Sequence, residues 1–205
     1  MTRIGRWCGL AALAVVGAAG VRADRPRDPV GAPAQAAVSP ASERASIYDL
    51  DLPLVDAEGR HLVLADLRGR TLVAAMMYTS CQSVCPRVTE DMKGIERQLR
   101  GLTRQDVTFV LFSLDAGRDT PGMLGAFAAE HELDATRWRL FAATDDGVRD
   151  LSAVLGVKYK QEADGDIAHS AMIVVVDPQG VIRHRQVGLT ESPAELIAAI
   201  SRARS

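Results

Sequence analysis

The stretch MMYTSCQSVCPRV, residues 76 to 88, places Cys81 and Cys85 between an apolar run and an amphipathic segment. The run before them, TLVAAMMY, is continuous and of strand length, which is typical of a central strand covered on both faces. After them Pro86 suits the first position of a helix, so we expect a helix that begins at Cys85 and Pro86. Apolar residues then recur at helical spacing, at Val88, Met92, Ile95 and Leu99. The two cysteines are therefore predicted to lie at a strand-to-helix junction.

Strands and helices alternate on the C-terminal side of this junction. The runs DVTFVLFSLD and RWRLFAA are predicted as buried strands. The segment between them, TPGMLGAFAAEHEL, is predicted as a helix with Thr120 as its cap and Pro121 at its first position. TDDGVRDLSAVLG predicts a further helix, and SPAELIAAISRAR a closing helix capped by Ser192.

Two hairpins flank this alternation. YDLDLPLVDAEGRHLVLADLRGR alternates apolar and polar residues around Glu58-Gly59, and HSAMIVVVDPQGVIRHRQVG turns at residues 177–180. Together the elements predict an α/β sandwich, with a central mixed sheet, flanking helices and an added N-terminal hairpin. Ligands of such sheets gather at the carboxyl ends of the strands, and Cys81 lies at such an end.

The composition is that of one ordinary globular domain. The chain has 205 residues, of which 47% are hydrophobic and 24% charged, and this is enough for one substantial core. Its formal net charge of -2 leaves no basic excess to neutralise phosphates. This charge argues against nucleic acid and anionic membrane surfaces as partners.

The N-terminal segment predicts export. Arginines precede an apolar stretch that ends in small residues, which is the layout of a secretory signal, with an uncleaved membrane anchor as the alternative. We expect residues 1–23 to be this signal peptide or N-terminal anchor, and residues 24–45 to be a flexible linker. Residues 46–205 then form the folded domain. Its expected location is the bacterial periplasm, free or anchored to the periplasmic face of the inner membrane.

The two cysteines allow three kinds of chemistry. A helix that starts at them directs free amide groups and its positive dipole end toward the preceding loop, which lowers a thiol pKa and favours thiolate. Thiolates bind soft metal ions and exchange disulfides. A disulfide between Cys81 and Cys85 would close so short a loop that it would stabilise the fold only weakly, although an oxidising compartment favours it. A disulfide staple, a redox dithiol and a metal site all remain open from these residues alone.

A metal held by two thiolates needs a third ligand, and the candidates are histidines. His61, His131 and His184 lie in segments that we expect to be at the surface. His169 differs because it opens the apolar strand SAMIVVV after the loop EADGDIA. Its position alone leaves open whether it is a ligand or simply a polar residue at the start of a strand.

Three motifs in order, YTSCQSVCP, SLDAGRDTP and HSAMIVVVDPQG, resemble the SCO/SenC family of copper proteins. The resemblance extends from about Ser46 to the C-terminus. It implies a thioredoxin-like fold and a role in assembling the dinuclear copper site of cytochrome c oxidase. It also implies that Cys81, Cys85 and His169 bind copper. Two thiolates and an imidazole suit Cu(I) and can also hold Cu(II), whereas structural zinc prefers four ligands.

Three positions depart from the pattern of that family. Gln82 and Ala116 stand where prolines are common, and Ala168 replaces an aspartate before the histidine. The loss of that carboxylate removes a group that would orient the ring of His169. Asp115, at the carboxyl end of its strand, is a candidate for outer support of the metal site, and capping of a turn is the alternative role.

Two functions follow from the resemblance. The first is a metallochaperone, not an enzyme, that releases copper by ligand exchange to an acceptor, for which the family implies subunit II of cytochrome c oxidase. The second is a thiol-disulfide reductase, with Cys81 and Cys85 as the catalytic pair, that keeps the copper-binding cysteines of the acceptor reduced. A thiol reductant is an expected partner. Only the first function needs His169, because dithiol exchange does not use a distal imidazole.

Overall fold

The apolar run before the cysteines forms a strand in the middle of a sheet. The structure, a computed structural model, describes residues 45–99, 107–189 and 193–203. Its strands are β1 (Pro53–Asp56), β2 (His61–Val63), β3 (Thr71–Met77), β4 (Val107–Ser113), β5 (Trp138–Ala142), β6 (Tyr159–Gln161), β7 (Ile167–His169), β8 (Met172–Val176) and β9 (Ile182–Val187). Its α-helices are α1 (Val84–Gln98), α2 (Pro121–Glu130), α3 (Asp145–Leu155) and α4 (Ala194–Ala203).

Seven of the strands form one mixed sheet, in the order β2-β1-β5-β4-β3-β8-β9. The centre is parallel, because β3 pairs with β4 and β4 with β5 in the same direction. Antiparallel strands flank it, with β8 next to β3 and the β1–β2 hairpin next to β5. The predicted α/β class, the mixed sheet and the N-terminal hairpin are confirmed.

Helices cover the central strands. All residues of β3 and β4 are buried, while α1 and α4 contact β3 and β8, and α2 contacts β5 and β1. The predicted apolar face of α1 is confirmed, since its members are at most 3% exposed: Val88, Met92, Ile95 and Leu99. Burial of this stripe removes apolar surface from water and holds α1 against the sheet. The cysteines consequently lie at a fixed place, at the carboxyl end of β3.

The helix after the cysteines begins one residue earlier than predicted. α1 starts at Val84, so that Cys85 and Pro86 occupy its second and third positions. Proline is tolerated there because the amides of a first helical turn have no intrahelical partner in any case. The backbone N–H of Cys85 is one of these amides and is available to a group in the preceding loop.

The prediction that His169 opens an apolar strand is wrong. His169 ends β7, which pairs antiparallel with β6 in a separate two-stranded sheet. Ser170 and Ala171 lie between β7 and β8. The β6–β7 hairpin was not predicted because each strand has three residues, most of them not buried, and neither carries an apolar alternation.

Some predictions fall on residues outside the described part of the chain. These are the signal or anchor, nearly all of the linker, and the helix cap at Ser192. Over the ranges 45–99, 107–189 and 193–203, no helix has the length and apolar character needed to cross a membrane.

Gly180, in the turn between β8 and β9, is required by its backbone and by its surroundings. Its φ is +91°, and a Cβ at this position would lie 2.1 Å from Ser46 Oγ and 2.4 Å from Tyr48 Cδ2. We expect Gly180→Ala to lower the free energy of unfolding by about 2–4 kcal/mol, because left-handed strain adds to steric overlap. Urea denaturation measures this loss.

Gly59→Ala is the matched control. Gly59 also has a positive φ, +78°, but nothing lies within 4 Å of its Cβ position, so only the backbone strain of about 1–2 kcal/mol should appear. Equal losses in the two variants would contradict the steric part of the explanation.

Candidate metal centre

The two cysteines lie on either side of the start of α1. Cys81 is in the loop after β3, where its backbone N–H donates to the carbonyl of Tyr78 at 3.2 Å. Its side chain is 6% exposed, whereas Cys85, in the first turn of α1, is fully buried. Both are free thiols in the structure. The loop therefore brings one slightly accessible and one inaccessible sulfur to the same end of the sheet.

The helix N-terminus stabilises a thiolate at Cys81. The backbone N–H of Cys85 donates to Cys81 Sγ at 3.4 Å. Burial alone would raise the pKa of Cys81, but hydrogen bonds from the Cys85 thiol and from the backbone N–H groups of Cys85 and Ser83 lower it to about 6. Cys81 is therefore largely ionised at neutral pH.

Cys85 has the opposite tendency. Burial and the adjacent sulfur of Cys81 raise the pKa of Cys85, because a second negative charge would be placed in an apolar environment beside the first. The pair therefore consists of a thiolate and a protonated thiol, and binding of both sulfurs to one metal ion would displace a proton.

His169 brings a nitrogen to this pair from β7. Its Nε2 lies 3.4 Å from Cys85 Sγ, and its Nδ1 lies 3.3 Å from the carbonyl oxygen of Ser170. A carbonyl only accepts hydrogen bonds, so this contact assigns the proton to Nδ1 and leaves a lone pair on Nε2. The ring thus presents its free donor atom to the sulfurs.

The three donor atoms fit a single metal ion. The sulfurs of Cys81 and Cys85 and the nitrogen of His169 all lie within 4.8 Å of one another. An ion about 2.3 Å from each sulfur and about 2.0 Å from the nitrogen, in a planar arrangement, would hold its donors about 3.7–4.0 Å apart. A movement of about 1 Å would bring the three donor atoms to these distances. Thiolate sulfur and imidazole nitrogen are donor types that suit both copper and zinc.

The other histidines lie elsewhere in the fold. His61 is exposed on β2, and His131 contacts the ring of Phe127 with centroids 4.2 Å apart. His184, expected at the surface, is half-buried on β9, and burial lowers its pKa. His169 is the histidine that joins the two cysteines in the described part of the chain.

Asp115 has the contacts of a turn residue. Its backbone N–H donates to Ser113 Oγ at 2.8 Å, its carbonyl accepts from the backbone N–H of Asp119 at 3.0 Å, and its carboxylate pairs with Arg118. Its link to the site is indirect: Arg118 also donates to the carbonyl of Gly165 at 2.6 Å, in the turn of the β6–β7 hairpin. Support of the metal site by Asp115 stays a prediction.

Asp119, which the sequence did not single out, connects the cysteine loop to β4. Its buried carboxylate accepts from the backbone N–H of Thr79 at 3.0 Å, from the Thr79 hydroxyl at 2.5 Å and from the Ser113 hydroxyl at 2.6 Å. A buried carboxylate needs such donors to offset its lost hydration. The only sequence signal was its place in the segment SLDAGRDTP, after a buried strand.

Tyr78 is a second residue that the sequence did not single out. It is 2% exposed, directly after β3, and its hydroxyl donates to the carboxylate of Asp166. Its ring meets the ring of His169 edge-on, with centroids 5.8 Å apart and an angle of 76°. Tyr78 therefore contacts the candidate ligand and the strand that carries it.

The difference in pKa between the two thiols predicts that Cys81 is alkylated selectively. We expect iodoacetamide to modify Cys81 at a rate that rises with pH around a midpoint near 6, because the thiolate is the reactive form. Cys85, whose pKa is raised, should stay unmodified at neutral pH. Time-resolved alkylation of the reduced, metal-free protein is followed by peptide mapping, which distinguishes Cys81 and Cys85 from the third cysteine of the sequence, Cys8 in the N-terminal apolar stretch. A Cys81 midpoint at the ordinary value of about 8.5 would contradict the thiolate assignment.

Known proteins share this architecture. A SCO1/SenC family lipoprotein from Bacillus anthracis str. Ames is 26% identical in sequence. Its structure matches with a TM-score of 0.66 over 77% of this chain and 96% of its own. The copper-bound ScoI of Arabidopsis thaliana is 16% identical, with a TM-score of 0.64 over 74% of this chain and 94% of its own. The second likeness establishes the fold, which is thioredoxin-like as expected.

The sequence comparisons agree with the structural ones. The SCO1 protein homolog of Bacillus subtilis (strain 168) is 24% identical over 139 residues, which are 66% of this chain and 72% of that protein. The sequence pattern of the SCO1/SenC family matches residues 41–205. Since this match includes the whole described domain and far more than half of the chain, the protein belongs to the SCO1/SenC family.

Proposed function

We propose that the protein binds one copper ion through Cys81, Cys85 and His169 and delivers it to the copper site of a respiratory oxidase. The observation that carries the proposal is the meeting of two sulfurs and a ring nitrogen within 4.8 Å at the carboxyl end of β3. Membership of the SCO1/SenC family supports it, as does the copper held by the Arabidopsis protein of the same fold.

The donor set favours copper over zinc. Thiolates are soft ligands that select Cu(I), and an added imidazole extends the site to Cu(II). Structural zinc sites close with four protein ligands, whereas the cluster found in the described residues has three. A three-donor site also leaves a coordination position for a ligand of the acceptor, so that copper passes from one protein to the other by stepwise ligand exchange without a covalent step.

The family context supports a proposal for the acceptor and for the location. SCO1/SenC proteins are associated with the assembly of cytochrome c oxidase, so we propose its subunit II as the copper acceptor. We propose that the N-terminal segment exports the protein to the periplasm or anchors it to the periplasmic face of the inner membrane. The lipoprotein nature of the Bacillus anthracis relative is consistent with a membrane-associated location.

A thiol-disulfide reductase is the second candidate function, and the opposite pKa shifts of the two thiols favour it. The Cys81 thiolate would attack a disulfide of the acceptor, form a mixed disulfide and release one acceptor thiolate. Cys85 would pass its proton to the acceptor thiolate released first, attack the sulfur of Cys81 and release the second acceptor thiolate. The acceptor gains two electrons, the protein is left with a Cys81–Cys85 disulfide, and a thiol reductant must restore it.

The variant His169→Ala separates the two functions. We expect the reduced wild-type protein to bind about one copper ion per chain, and His169→Ala to weaken Cu(II) binding at least about tenfold, because a ligand is lost. The rate of oxidation of the Cys81–Cys85 pair should stay nearly unchanged. Metal analysis, absorption titration and thiol counting measure these quantities.

His61→Ala is the control, because His61 is an exposed histidine on β2. It should bind copper as the wild type does. Copper binding that is indifferent to His169 would count against the proposed site and would leave the reductase as the better assignment.

A further inference from the structure

The hairpin that carries His169 is not part of the main sheet. β6 and β7 pair with each other in a two-stranded sheet of their own. No strand ladder therefore fixes the distance between β7 and the cysteine loop within the described residues. The end of β7 is linked to the main sheet through Ser170 and Ala171, and the carbonyl of Ala171 accepts from the backbone N–H of Gly188 at 2.9 Å. The position of the third donor also depends on side-chain contacts between the hairpin and the rest of the domain.

Tyr78 supplies such a contact between the cysteine loop and the strand that carries His169. It lies three residues before Cys81 and is buried, so its ring is held by the core. Its hydroxyl reaches the carboxylate of Asp166, the residue directly before β7. The ring also packs edge-on against His169. One rigid side chain thus joins the end of β3 to the strand that ends in the candidate ligand.

We propose that the hydrogen bond from Tyr78 to Asp166 holds the β6–β7 hairpin over the cysteine loop, which makes Tyr78 a positioning residue for His169. The inference rests on the proposed copper function, since it concerns the third ligand of that site. Because Asp166 is exposed, the bond can open without burying a charge. The hairpin can then loosen, which weakens the hold of His169 on the copper ion when copper is released.

A second tether acts at the neighbouring residue. Arg118, paired with Asp115, donates to the carbonyl of Gly165 at 2.6 Å. The two tethers reach adjacent positions, Gly165 and Asp166, from the loop after β4 and from the residue after β3 respectively. Loss of the Tyr78 bond should therefore loosen the hairpin without detaching it.

The first test uses the metal-free protein. Tyr78→Phe keeps the ring and its packing and removes the hydroxyl. We expect amide hydrogen exchange at residues 166–170 to become about fivefold to tenfold faster, which corresponds to the net contribution of one hydrogen bond. Exchange in β3 and β4 should be unchanged. Asp166→Ala removes the acceptor and should give the same local change.

Tyr48→Phe is the matched control. Tyr48 is also a buried tyrosine, and its hydroxyl donates to the carbonyl of Leu67 at 3.1 Å, away from the site. Tyr48→Phe should leave exchange in the hairpin unchanged even if it lowers the overall stability as much as Tyr78→Phe does. Unchanged exchange at residues 166–170 in Tyr78→Phe would overturn the tether.

The second test measures copper. We expect Tyr78→Phe to weaken Cu(II) binding about fivefold, by the lost preorganisation of His169, and to have no further effect when His169→Ala is already present. The second result matters because the backbone carbonyl of Tyr78 also accepts from the backbone N–H of Cys81, so a change at Tyr78 could act through the cysteine loop. A loss that persists in the His169→Ala background would mean that Tyr78 acts on the thiolate, and this would overturn the positioning role.

The two tests also tell failure of this inference from failure of the copper assignment. If the wild-type protein binds no copper, the proposed function fails, and the role of Tyr78 toward a metal ligand fails with it. Hydrogen exchange in the metal-free protein still decides whether the tether exists. If the wild type binds copper through His169 and Tyr78→Phe binds it equally well, only the positioning inference is overturned.

Discussion

The site depends on the hydrogen-bond donors that stabilise a thiolate at Cys81, which include the N-terminus of α1, where the backbone N–H of Cys85 donates to the sulfur of Cys81 at 3.4 Å. Cys81 is only 6% exposed, so its thiolate receives little help from solvent and needs fixed donors. The start of a helix is a place where backbone N–H groups lack carbonyl partners. The buried strand β3 and the helix that packs on it are therefore what make a thiolate stable at this position.

The two sulfurs are held in opposite protonation states, so an ion that binds both of them must displace a proton. The pKa of Cys81 is lowered to about 6, whereas burial and the neighbouring sulfur raise that of Cys85. An ion that binds both sulfurs takes the place of the Cys85 proton, because coordination requires thiolate. The same asymmetry gives a reductase an attacking and a resolving sulfur. The two thiols would suit either proposed function, and the proposed copper site differs from a dithiol pair in the third donor that His169 adds.

The sequence predicted those parts of the fold that the core holds. β3, β4 and the apolar face of α1 follow a regular burial pattern, and this pattern is visible in the residues. The β6–β7 hairpin has no such pattern, because it lies outside the main sheet. The cysteines could be found from their spacing, but His169 became a strong candidate only through the family resemblance. Tyr78 and Asp119 were missed because their hydrogen bonds join residues 88 and 40 positions apart, and no local pattern encodes such contacts.

The loss of a carboxylate at Ala168 changes what supports the ring of His169. Its Nδ1 donates to the carbonyl of Ser170 at 3.3 Å, so the ring is oriented by a neutral acceptor. A carbonyl orients an imidazole but makes it less basic than a carboxylate would. Thiolates dominate the binding of Cu(I), whereas the binding of Cu(II) depends more on the nitrogen. A carbonyl in place of a carboxylate therefore weakens Cu(II) binding more than Cu(I) binding. The carboxylate nearby, Asp166, binds Tyr78 instead. If the protein carries copper as proposed, the negative charge next to the site would hold the hairpin in place rather than polarise the ring, and the weaker nitrogen donor would favour reduced copper.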